Sequence, residues 1–238
     1  MIRGRELRVV LALLPLPVLA VAVALLGREA APERTAEPAV TTTTAPAVPE
    51  PVLREEFLGA YERSRRATWY VTYEFTRRLR TGGSLDLTSV ELNRPPDHII
   101  AGLGGLNGVV GGREIVCDLV GDREICAPEG AAAPFDDALV AELSELRDVV
   151  QPPAKWYAVE EGGERTVAGE PARCFALRRV VNVPSPPYGD RAEYCFALAD
   201  GAPLVNRVER REGTDQRLAV AITRQVTDAD IAELLGPE

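Results

Sequence analysis

The stretch from Arg173 to Leu204, R-C-F-A-L-R-R-V-V-N-V-P-S-P-P-Y-G-D-R-A-E-Y-C-F-A-L-A-D-G-A-P-L, constrains this chain more than any other. Setting Cys174 opposite Cys195 across a hairpin puts Phe175 against Tyr194 and Leu177 against Ala192. The loop between them, N-V-P-S-P-P, cannot continue a ladder. Side chains alternate between the faces of a strand. One face therefore collects Phe175, Leu177, Tyr194 and Phe196 as a core, and the other collects Cys174, Ala176, Arg178, Glu193 and Cys195 as a more polar surface carrying the disulfide. Asp200-Gly201 is a two-residue hairpin turn leading into a third strand, Pro203 to Arg211.

Four cysteines, Cys117, Cys126, Cys174 and Cys195, allow three pairings, and their spacing favours the two local ones. Around Gly121-Asp122 as a turn, counting outward puts Cys117 opposite Cys126 at a non-hydrogen-bonded position. There Cα atoms sit roughly 4.5 Å apart, within disulfide range. A zinc site lacks ligands, because there is no C-x-x-C and His98 is the one histidine. Two disulfides imply an oxidising compartment.

Along the chain, Val52 to Ala67 reads as an amphipathic helix with Leu53, Phe57, Tyr61 and Ser64 on one face. In the strand that follows, Trp69, Val71, Tyr73 and Phe75 alternate with polar residues. Thr81-Gly82-Gly83 turns it into Ser84 to Leu92; Pro95-Pro96 breaks that strand, and Asp97 to Leu103 resumes. The Gly-rich run Ala101 to Gly112 fails as a phosphate cradle, since it lacks both G-x-G-x-x-G and a Lys-Ser/Thr step; it predicts turns and a bent strand. The first cysteine hairpin spans Arg113 to Ala127. A helix from Phe135 to Val150 carries a Leu139, Leu143, Leu146, Val150 stripe and ends at Pro152-Pro153. Strands at Lys155–Glu160 and around Thr166–Ala168, turned by Gly162-Gly163, precede the organising hairpin. A strand from Gln216 to Val226 and a short helix, Asp228 to Leu235, complete the chain.

The N-terminus follows different rules. Arg3, Arg5 and Arg8 precede an uncharged apolar run, Val9 to Leu26, near the minimum length for a spanning helix. Its basic flank places the N-terminus in the cytoplasm. An uncleaved signal anchor and a cleaved signal peptide both fit, and the length of the run together with its poor cleavage context favours the anchor. The expected domains are therefore a transmembrane helix at 1–26, a Pro/Thr/Ala-rich linker at 27–51 and an extracytoplasmic β domain at 52–238 in a single-pass cell-membrane protein. The linker cannot build a core, and as polyproline II it reaches at most roughly 75 Å. The net charge is −9, and beyond residue 30 it is −11, which argues against nucleic acid and against adsorption to anionic lipid headgroups.

Three segments carry a family resemblance. W-Y-V-T-Y-E-F with the following G-S-L-D-L-T-S-V-E-L-N-R-P-P-D-H, R-T-V-A-G-E-P-A-R-C-F-A-L, and A-E-Y-C-F-A-L-A-D-G-A-P-L resemble the opening hairpin, a middle strand pair and a late hairpin of the LolA-like superfamily. That group includes lipoprotein carriers, LppX- and LprG-type lipid-binding lipoproteins and RseB-type envelope-stress sensors. The resemblance covers roughly residues 52–235. It implies an α+β fold in which a curved antiparallel half-barrel sheet wraps around a helix and an apolar cavity for acyl chains, here behind an N-terminal transmembrane helix. This chain departs in lacking a lipobox cysteine and in carrying two disulfides within the sheet.

Two functions follow as expectations. One is a membrane-anchored module holding a lipid or acylated ligand in a cavity lined by Trp69, Val71, Tyr73, Phe75, Phe175, Leu177, Tyr194 and Phe196. The alternative is an RseB-like protein-interaction or stress-sensor domain without bound lipid. An open cavity with no polar floor favours the first, and a filled core favours the second. No catalytic set, cofactor or metal site is expected: His98 follows P-P-D at a strand start, and the carboxylate pairs Asp136-Asp137 and Glu160-Glu161 read as capping and solvation.

Overall fold

The computed structural model describes residues 48–102, 105–120 and 123–236. The N-terminal apolar run and nearly all of the linker lie outside the described residues. No described helix is long and apolar enough to cross a membrane.

The chain order is α1 (Glu50–Arg66), β1 (Trp69–Leu79), β2 (Ser84–Arg94), β3 (Asp97–Gly102), β4 (Gly105–Val110), β5 (Arg113–Val120), β6 (Arg123–Ala131), α2 (Phe135–Val150), β7 (Tyr157–Val167), β8 (Glu170–Arg179), β9 (Arg191–Ala197), β10 (Pro203–Glu209), β11 (Gly213–Thr223) and α3 (Asp228–Leu235). The strands form one sheet in the order β6-β5-β4-β3-β2-β1-β11-β10-β9-β8-β7. It is two antiparallel meanders, β1–β6 and β7–β11, joined where β1 pairs antiparallel with β11. Within the second meander the proline-rich loop from Val180 to Asp190 joins β8 to β9, and α2 carries the chain between the two free edges.

The organising hairpin has the expected register. Cys174 pairs with Cys195, Phe175 with Tyr194 and Leu177 with Ala192. Both later helices also fall on their expected bounds. α2 buries the expected Leu139, Leu143, Leu146 and Val150 stripe, and Asp136 and Asp137 sit in its positive first turn. α3 is opened by a capping box between Thr227 and Asp230.

The expected turn at Gly162-Gly163 is instead a bulge inside one long strand, β7, with the register shifting between Glu161 and Gly163. A Cβ at Gly162 would stand 2.8 Å from the Cys174 carbonyl carbon, so β7 presses onto β8 at that point. The true turn is Ala168-Gly169, where both residues have positive φ (51° and 79°), the type I′ geometry.

The sheet curls strongly. β7 touches β11 although β8, β9 and β10 lie between them. In a flat sheet that separation is roughly 19 Å, four strand spacings. Curling gives β8 and β9 two buried faces. One packs under α1 and α2 with Leu53, Phe57, Leu58, Leu146, Val150, Tyr157, Phe175, Leu177 and Phe196. The other packs Cys174, Cys195, Ala172 and Ala197 with Trp69, Val71 and Tyr73 of β1 and Leu204 of β10. A third core sets Ile231 of α3 against Leu92, Ile99, Leu106 and Cys117.

Polar side chains tie α1 into this frame. Arg65 donates to both oxygens of Glu142 on α2, at 2.9 and 3.1 Å. The fully buried Asn93 of β2 donates its amide to the Ala67 and Arg65 carbonyls at 2.6 and 3.0 Å. It thereby satisfies carbonyls that the end of α1 leaves without a helical partner.

Candidate functional site

The aromatic side chains expected of a cavity form a closed packing around α1. The Phe57 ring stands 5.7 Å from Phe175, 5.8 Å from Tyr194 and 6.2 Å from Phe196. Tyr194 stacks on Phe196 at 6.4 Å, and Tyr188 links Tyr194 to Tyr157 at 6.2 and 5.6 Å. These are the offset and edge-on distances at which rings attract beyond simple burial. Phe57, Phe175, Leu177 and Phe196 are each at most 4% exposed.

The eight sequence-derived candidates do not share one chamber. Phe175, Leu177, Tyr194 and Phe196 surround Phe57. Trp69, Val71 and Tyr73 belong to the second core, with Trp69 donating its indole N–H to the Ser64 carbonyl at 2.8 Å and Tyr73 its hydroxyl to the Pro203 carbonyl at 2.7 Å. Phe75 is half-buried beneath the Arg77 guanidinium, 5.7 Å from its ring centre. Phe57, the residue that joins the ring cluster, stood in the sequence on the apolar face of its helix without being a cavity candidate.

Cys174 and Cys195 form a disulfide. The polar surface expected for it is corrected: both cysteines are fully buried, because the curl lays β1 and the end of β7 over that face. Arg165 stands 2.9 Å from the Cys195 sulfur and 3.2 Å from Glu193, so charge lies at the margin of this core. With its sulfurs joined, the Cys174, Glu193, Cys195 cluster offers no thiolate ligands. Cys117 is also disulfide-bonded and stands opposite Cys126 in the β5–β6 ladder. His98, at the start of β3, is half-buried, 3.0 Å from Glu91, with its ring edge-on to Trp69.

Burial pushes the phenol pKa up in all six tyrosines, Tyr61, Tyr70, Tyr73, Tyr157, Tyr188 and Tyr194. At Tyr61 the Glu142 carboxylate adds to this. A raised folded-state pKa favours the neutral phenol in the folded protein. The contribution is fully present below about pH 10, the unfolded phenol value, and is lost as pH rises beyond it. An alkaline titration followed at 295 nm should show tyrosinate appearing together with loss of folded circular dichroism. Six phenols titrating near pH 10 in a folded protein would contradict this packing.

Clefts lie at the surface. The larger ones include about 640 Å³ between the 182–190 loop and Arg210–Glu212, about 540 Å³ along α1 between Gly59, Arg63, Ala67 and Asp200, and about 420 Å³ between Arg165–Ala168 and β10–β11. All three mix charged and apolar walls.

No family model matches the chain, and no curated protein does. Solved structures do resemble it. The Pseudomonas aeruginosa MucA/MucB complex aligns with 76% of this chain and 61% of that one at 17% identity and TM-score 0.47. Mycobacterium tuberculosis lipoprotein LppX aligns over 75% of this chain and 99% of that one at 14% identity and TM-score 0.40. A LolA-superfamily protein from Nitrosomonas europaea aligns over 77% and 97% at 8% identity and TM-score 0.30. The chain is thus similar to solved members of the group its sequence resembles, and spans about three-fifths of the MucB chains, 61% and 62%. At these identities and scores the likeness carries no functional inference, which rests on the chain's own geometry.

Proposed function

We propose that this chain is a membrane-tethered, extracytoplasmic, non-catalytic binding domain that engages a protein partner through its surface rather than holding an acyl chain inside. One observation carries this reading: the centre of the aromatic cluster under α1 is occupied by the chain's own Phe57. An acyl chain needs an apolar space of several hundred Å³, and close-packed rings leave no such room between Phe57 and its neighbours. The tether and compartment are part of the same proposal. A basic-flanked apolar run and a proline-rich spacer precede the domain, and disulfides suit an oxidising space.

Titration of the full-length protein in detergent with cis-parinaric acid tests the proposal. The expected result is no saturable rise in polyene fluorescence above that of the detergent alone. A saturable, one-to-one signal displaced by palmitate would overturn it in favour of the lipid-binding reading.

A further inference from the structure

The cleft of about 640 Å³ at one end of the β7–β11 meander is built rather than incidental. One wall is the loop from Val180 to Asp190, which carries the N-V-P-S-P-P run. That wall is pinned at both ends. The Val180 N–H donates to the Trp156 carbonyl at 2.8 Å, the Tyr157 hydroxyl to the Gly189 carbonyl at 3.0 Å, the Tyr188 N–H to the Tyr157 hydroxyl at 3.0 Å, and the Asp190 N–H to the Glu209 carbonyl at 2.7 Å. Gly189 has φ +67° and lies against Val208 so closely that a Cβ would stand 3.0 Å from its side chain. The opposite wall is Arg210-Arg211-Glu212, the turn from β10 into β11.

The charges around this cleft do not cancel. Arg179 is paired with Asp190 at 2.8 Å. Glu212 lines the cleft beside Arg211 and sets one negative charge there. Among the described residues neither Arg210 nor Arg211 forms an ion pair; Arg210 acts on the Asp215 carboxylate only through space, and one terminal nitrogen of Arg210 is enclosed with no acceptor. The backbone N–H of Arg80 donates to the Glu212 carbonyl at 2.9 Å and holds the turn against the end of β1. The lining sets Arg179, Arg210 and Arg211 against Asp190 and Glu212, a net positive spot on a protein of net charge −9. Exposed apolar side chains flank it: Val180 and Val181 on the loop, 44% and 42% exposed, and Leu79, 45% exposed, which pairs with Gly213 just past the turn.

We infer that this cleft, between the proline-rich loop and Arg210-Arg211, docks an acidic peptide segment of a protein partner, with its carboxylates on the two arginines and its apolar side chains against Val180 and Val181. The inference rests on the proposed protein-binding function and gives it a location. Guanidinium groups without partners favour carboxylates, and charge-assisted bonds supply the specificity. A concave site of this volume suits a short peptide. An anionic bilayer is the poorer match, because the spot is recessed between two walls that admit a narrow peptide and hold a flat surface away from the arginines.

The test uses the full chain in neutral detergent and a fluorescein-labelled heptapeptide alternating glutamate with leucine and valine, read by anisotropy at low salt. A second peptide has glutamine for every glutamate. The acidic peptide should bind saturably and the glutamine peptide at least about tenfold more weakly. R210Q/R211Q should lose at least about tenfold toward the acidic peptide. R113Q/R147Q removes the same charge from exposed arginines on β5 and α2 and should leave the affinity unchanged. Circular dichroism confirms that both variants are folded. Equal binding of the two peptides, or an unaltered affinity in R210Q/R211Q, would overturn the site. So would capture of the wild type, but not R210Q/R211Q, by phosphatidylglycerol vesicles without peptide preference, which would make the patch a membrane contact. A parinaric acid signal would instead strike the proposed function, leaving the peptide result to be judged separately.

Discussion

Phe57→Ala is expected to cost about 3–5 kcal/mol of folding stability, the range for a large aromatic removed from a packed core. The ring is 2% exposed and lies within 6.2 Å of three others, so its removal leaves Phe175, Tyr194 and Phe196 facing a void. α1 and α2 are joined by Arg65 and Glu142, and together they limit how far the neighbours can collapse into it. Urea unfolding measures the loss as a lower midpoint at unchanged slope. The void is apolar, so it should admit a small dry ligand: benzene should raise the melting temperature of Phe57→Ala and leave the wild type unmoved. Phe57→Leu, which keeps most of the volume, should retain most of the stability. A cost below about 1 kcal/mol for the alanine variant would mean that the helix does not fill this face.

The second large effect is expected from C174A/C195A. The cysteines are 21 residues apart in sequence, and on the loop-entropy account their bond contributes roughly 3 kcal/mol. The bond is also fully buried among Trp69, Val71, Tyr73 and Leu204. A reducing thiol must reach a sulfur along the S–S axis, which this packing blocks. The folded protein should therefore keep Cys174–Cys195 in millimolar dithiothreitol and yield its thiols only in denaturant, as counted with a chromogenic disulfide reagent. Rapid release from the folded protein would place the bond at the surface, where the sequence had put it.

That surface assignment shows what local pattern can and cannot reveal. The hairpin register was legible because cysteine spacing, the proline loop and strand alternation all agree over a few residues. α2 and α3 were legible to the residue because Pro134 and Thr227 open them and apolar stripes run through them. β7 was misread as two strands, because Gly162-Gly163 has the composition of a turn while the chain uses it for a close approach over Cys174. The individual candidates Trp69 through Phe196 could be named from alternation, but their division between two cores could not. It depends on the curl that brings β7 to β11, a contact between strands far apart in sequence. Arg210 and Arg211 passed as the polar end of a strand. Their signal was two adjacent arginines in an acidic chain, and only the folded loop beside them makes a cleft of it.

The most direct test of the claim that the chain fills its own interior is native mass spectrometry of the full-length protein, taken in mild detergent from its natural host. The expected result is the mass of the polypeptide less four hydrogens, for the Cys174–Cys195 bond and the disulfide of Cys117. A stoichiometric excess that vanishes on solvent extraction, and that fragments as an acylated molecule, would contradict the account and place a lipid where Phe57 is held to sit.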